Sequence, residues 1–181
     1  MSEAPLPAYV DARKAFAQKL SIAGQIELRK LERVAACTAE ADGKVNAELS
    51  FSTDSAGRRR IRGEVSARLT LVCQRCLEPV AEEIRETVDL VLVPDEAAAE
   101  ALSTEFDPWI TEDHRIFLAD LLDEQLLLGM PIVSYHKDGP CSENTRVEVK
   151  AEPGTENLGK EEAAEADSSN PFAVLAKLKL D

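Results

Sequence analysis

Aromatic residues are scarce in this 181-residue chain, at 4% of positions. With one Trp, two Tyr and five Phe, stacked rings cannot build the core, so aliphatic side chains must fill it. Long apolar runs are missing too. The longest candidate, 121–130, is interrupted by Asp123, Glu124 and Gln125, well short of the ~18 residues that suggest a membrane span. The opening MSEAPLPAYV lacks a basic stretch followed by an apolar run, so no export signal is expected. Positive charge is outnumbered, 21 Lys and Arg against 34 Asp and Glu, for a net charge of −13. Such a chain is repelled by nucleic-acid backbone unless its cations are segregated. The balance suits a basic protein partner, or simply solubility. No Gly-rich phosphate loop, nucleophile elbow or pair of catalytic carboxylates is visible, so neither an enzyme nor a small-molecule substrate is expected. Cysteines number four. Without an export signal they argue against a disulfide framework, for thiol or metal chemistry, and for a cytoplasmic location.

What is present is periodic. Ala12, Ala15, Phe16 and Leu20 have helical spacing behind Asp11, a good N-cap. Ile22, Gly24 and Ile26 alternate as a short strand. Leu28, Leu31, Val34 and Ala35 suggest a second helix, with Cys37 at its end as a small buried hydrophobe. After Asp42-Gly43 the period becomes two. Three alternating runs follow: Val45–Phe51, Ile61–Leu71 and Val80–Leu92. Short turns between them predict an antiparallel meander with one buried face and one wet face. Trp109 is expected to anchor the connection that follows. Leu118, Leu121, Leu122, Gln125 and Leu128 then mark the inner face of an amphipathic helix, with Asp120, Asp123 and Glu124 opposite. The expected class is α+β: an antiparallel β-meander with a few helices packed on one face. Residues 1–141 form the globular domain. Residues 142–169 read as an acidic disordered linker, and 170–181 as a short helical docking motif. In that motif Asn170 caps, Pro171 takes the first helical position, and Phe172, Leu175 and Leu178 form the stripe.

Two constellations carry chemistry. Cys73 and Cys76 form a Cys-x-x-Cys at the turn between two strands, and His136 and Cys141 lie about sixty residues later. Four such ligands can close one tetrahedral zinc site. Two other readings stay open: a pair of reduced thiols on a turn, and a redox site. Redox motifs of this type open a helix after a strand, which this one does not. Separately, Arg58, Arg59, Arg60, Arg62, Arg68 and Arg75 cluster along one strand. Arg60, Arg62, Arg68 and Arg75 are candidates for contacting RNA phosphates. The competing reading pairs the stripe with Glu48, Glu64 and Glu83 across strands. His114 reads as a surface or capping residue.

CQRC at a strand end, PIVSYHKDGPC after an amphipathic helix and NPFAVLAKLK at the terminus, in that order, resemble the YceD family of large ribosomal RNA subunit accumulation proteins. The resemblance spans nearly the whole chain. It differs at Phe117, where relatives often start the helix with Asp, and at Ser134, where Pro is common. It implies a non-enzymatic factor for accumulation and processing of large-subunit (23S) ribosomal RNA. Such a factor would bind pre-ribosomal RNA or a basic ribosomal protein. A zinc-stabilised protein adaptor without RNA contact and a zinc-dependent enzyme acting on RNA are the alternatives. The family carries no established catalytic residues.

Overall fold

The computed structural model describes residues 4–111, 113–137 and 141. In chain order the elements are β1 (Tyr9–Asp11), α1 (Ala12–Gln18), β2 (Ser21–Glu27), a 3-10 turn (Leu28–Lys30), α2 (Glu32–Cys37), β3 (Lys44–Thr53), β4 (Arg59–Val72), β5 (Pro79–Val93), α3 (Glu96–Glu100), β6 (Asp107–Ile110), β7 (Arg115–Phe117) and α4 (Leu118–Gly129). Strands β2 to β5 follow one another as an antiparallel meander. The alternation dictates this: Val45, Leu49, Ile61, Val65, Leu69, Ile84 and Val88 are all buried on one face. Helix α4 packs on that face through Leu118, Leu121, Leu122 and Leu126, so the class is α+β as expected.

Two pairings were not legible. The short β6 joins the outer edge of β5 in parallel, and its half-buried Trp109 packs against the core. The even shorter β1 and β7 form a separate antiparallel ribbon. Asp11 does cap α1, accepting from the Lys14 amide at 3.1 Å. Three expectations need correction. Cys37 is exposed rather than buried. Leu128, expected on the inner face, is 75% exposed, and Asp123, expected on the wet face, is buried. The reason is that α4 is covered from two sides, by the sheet and by α2, so its buried arc turns away from Leu128.

Strand β4 can run flush against β3 because position 63 is glycine. Gly63 pairs with Leu49 on one side and Val88 on the other. A Cβ there would lie 1.8 Å from the Glu48 carbonyl oxygen. Gly63→Ala is therefore expected to cost about 1–3 kcal/mol, read as a lower urea midpoint. An unchanged midpoint would mean that the two strands separate at no cost.

Candidate metal centre

The β4–β5 hairpin ends in a tight turn. The Cys73 amide donates to the Glu78 carbonyl at 2.9 Å, and the Leu77 amide donates to the Cys73 carbonyl at 2.8 Å. Leu77 accordingly takes a left-handed φ of 64°, which is uncommon for a branched residue. This turn sets Cys73 and Cys76 on one side. The segment leaving α4 then runs alongside it. The Gln74 amide donates to the Ser134 carbonyl at 2.9 Å, and Gln74 Nε2 donates to the Ile132 carbonyl at 3.4 Å. These bonds deliver His136 and Cys141 to the same point.

All four sequence-predicted ligands converge. The Sγ and ring nitrogen atoms of Cys73, Cys76, His136 and Cys141 lie within 4.8 Å of one another. Cys73 Sγ is 3.5 Å from Cys141 Sγ, and Cys76 Sγ is 3.5 Å from His136 Nδ1. A disulfide needs about 2.05 Å, and all four cysteines are free. A tetrahedron with Zn–S bonds of ~2.3 Å has edges of roughly 3.8 Å, close to what is seen. The imidazole is also oriented for the task. His136 Nε2 lies 3.0 Å from the Pro79 carbonyl, which can only accept. The ring proton therefore sits on Nε2, and the Nδ1 lone pair faces the sulfurs.

The electrostatics leave a place for a cation. Burial opposes ionisation of Cys73, but the amides of Cys76, Arg75 and His136, with the Cys141 thiol, outweigh it and bring the group down to about 5. Burial, then the neighbouring Cys73 and Cys76, push Cys141 up to about 11. The Cys73 hydrogen bond and the Pro79 carbonyl raise His136 above its ordinary value. One thiolate is thus stabilised while its neighbour is held as a thiol for want of positive charge. A bound metal ion supplies that charge.

The arginines do not converge. Arg60 is buried; it donates to Asp89 through Nε at 3.0 Å and lies over the Phe106 ring at 4.8 Å. Arg62 reaches the same carboxylate at 3.3 Å. Burial alone would raise the Asp89 carboxyl, but these two guanidiniums hold it below its usual range. Asp89 therefore takes the place of the expected glutamate partners, while Glu83 pairs with Arg85 at 2.8 Å. Arg68 is exposed, opposite Glu83 in register. Arg75 lies 5.0 Å over Tyr135; the two residues neighbour Cys76 and His136 of the Cys3His cluster in sequence. Phe106 and Tyr135, the aromatic partners of these arginines, could not be paired with them by sequence spacing. His114 is exposed and contacts Arg13, and its carbonyl accepts from the Ala12 amide at 2.7 Å. Asn170, Pro171, Phe172, Leu175 and Leu178 lie outside the described residues, as does 142–169.

A meander whose longest hairpin carries a Cys3His cluster at its tip defines a class of α+β protein able to hold a metal ion there. The chain belongs to the YceD family: the family described as Large ribosomal RNA subunit accumulation protein YceD matches residues 61–179, a span that includes the cluster. A relative of that name from Haemophilus influenzae is 29% identical over 180 residues, covering 99% of this chain and 99% of its own. No solved structure matches.

Proposed function

We propose that this chain is a cytoplasmic, non-enzymatic factor for accumulation and processing of large-subunit (23S) ribosomal RNA. It acts by binding pre-ribosomal RNA or a ribosomal protein, and zinc at Cys73, Cys76, His136 and Cys141 is structural. Likeness to the Haemophilus influenzae accumulation protein along the whole length carries the pathway. The donor set supports the non-enzymatic part. Four ligands fill a tetrahedral zinc, whereas a catalytic zinc keeps one position for water or substrate. Residues 170–181 serve as a second contact, through Phe172, Leu175 and Leu178 behind Asn170 and Pro171.

An adaptor that meets protein and not RNA is the second reading. The net charge of −13 and the engagement of Arg60 and Arg62 by Asp89 favour it. Exposed Arg68 and Arg75 remain the RNA candidates. The test is removal of the gene followed by complementation. Loss of the chain should lower mature 23S relative to 16S ribosomal RNA, and the intact chain should restore it. Unchanged 23S would remove the proposal. Purified chain incubated with precursor RNA should produce no cleavage; zinc-dependent cleavage would make it an enzyme instead.

A further inference from the structure

Around the Cys3His cluster the molecule exposes apolar side chains that a solvated hairpin tip does not need. Leu77 is 75% exposed and Ile132 is 95% exposed. Val72, Val133 and Tyr135 are exposed beside them, and Leu128 ends the last turn of α4 just before. The hydrogen bonds from Gln74 to Ser134 and Ile132 hold the two segments side by side, so these residues form one neighbourhood. Exposed apolar side chains gathered at one end of a domain mark a contact surface.

Charge narrows the occupant. Glu78 follows Leu77 directly, and Glu82 and Glu86 alternate up β5 on the side covered by α4, where Glu86 abuts Gly129. Among the described residues none of these three carboxylates is in a salt bridge, though the charge of Glu78 helps to raise His136. Arg75 already lies over Tyr135, and Lys137 follows His136. Apart from Tyr135, whose ring already carries Arg75, these side chains are aliphatic and give bases nothing to stack on, and the carboxylates repel phosphate. Both features suit a protein surface that combines apolar anchors with Lys or Arg.

We propose that the hairpin tip is a docking surface for a cationic protein. Apolar anchors of the partner cover Leu77, Ile132 and Val133, and its basic residues meet Glu78, Glu82 and Glu86. The metal acts at a distance here, by fixing two chain segments as one rigid face. This inference rests on the proposed ribosomal role for the kind of partner, since proteins of the large subunit are the cationic candidates that role supplies.

The test uses the full zinc-loaded chain and its Leu77→Ser/Ile132→Ser and Glu78→Lys/Glu82→Lys variants. Equal zinc content and an unchanged melting midpoint show that each is folded. Large-subunit ribosomal proteins, purified singly and free of RNA, are the probes. At least one should bind the intact chain, and each variant should weaken that binding about tenfold or more. Binding that both variants leave unchanged, or no binding to any probe, overturns the proposal. Two other outcomes also overturn it: self-association abolished by Leu77→Ser/Ile132→Ser, which makes the occupant a second copy, or loss of RNA binding alone. In cells, a variant that lacks the contact yet restores 23S accumulation sinks the docking surface and leaves the ribosomal role intact. If deleting the gene changes nothing, the role itself fails.

Discussion

If the Cys3His cluster holds zinc as proposed, chelation is expected to lower the melting midpoint of this chain by roughly 10 °C. At free zinc a thousandfold above the dissociation constant, binding contributes about 4 kcal/mol. In a domain of this size each kcal/mol moves the midpoint by about 2–4 °C. Cys76→Ser should reproduce the loss without chelator, and adding chelator to that variant should change nothing further. Equal midpoints for the intact chain with and without chelator would end the metal clasp. The pH dependence follows from the ligands. Cys73, held at about 5, is ionised at neutral pH, whereas Cys141, near 11, must release its proton to bind. Metal affinity therefore falls on acidification. The metal-free chain behaves differently. Cys73 is depressed, so its contribution is complete above the ordinary thiol value of 9.0 and is lost as pH falls towards 5. His136 is raised, so its contribution is complete below 6.5 and fades as pH climbs through the folded value. Cys141 is raised too, and its contribution disappears as pH rises from 9 through 11. Thermal melts with and without chelator across this range read all of these signs.

The four candidate ligands were legible because metal chemistry restricts residue type, and Cys-x-x-Cys and His-x4-Cys keep their meaning at any separation. That they meet was expected from the ligand set; how they meet was not legible, because it depends on Gln74 hydrogen-bonding to the segment that leaves α4. The meander was legible because its strands run 10–15 residues, long enough for period two to dominate. The ribbon of β1 and β7 spans three residues a side, which is too few for any period. At Arg60 alternation failed for a different reason. The sheet face there is covered by Phe106, brought in by a loop whose path no local pattern records. Ion-pair partners were misplaced because opposite charges abound on that face, and register alone put Asp89 across from Arg62.

Asp123→Ala should destabilise the fold by about 2–4 kcal/mol, more than any surface charge removal. Helix α2 has no side-chain cap of its own: Leu31 stands at its N-cap position. Asp123, from α4, supplies the missing acceptor across the packing interface. Its Oδ2 accepts from the Arg33 amide at 3.1 Å and its Oδ1 from the Val34 amide at 2.8 Å. A lost cap costs about 0.5–2 kcal/mol, and a hydrogen bond to a charged group contributes about 1.5–3 kcal/mol. The carboxylate is buried, so water does not readily replace it. Asp123→Asn keeps one acceptor and should lose less. Glu124→Ala is the control. Its contact with Arg33 is 3.8 Å long and half exposed at both ends, the kind of ion pair that contributes about 0–1 kcal/mol. Urea unfolding ranks the three variants, and hydrogen exchange at the Arg33 and Val34 amides reports the cap directly. If Asp123→Ala and Glu124→Ala unfold at the same midpoint, the carboxylate does not cap α2, and its burial beneath that helix must have another cause.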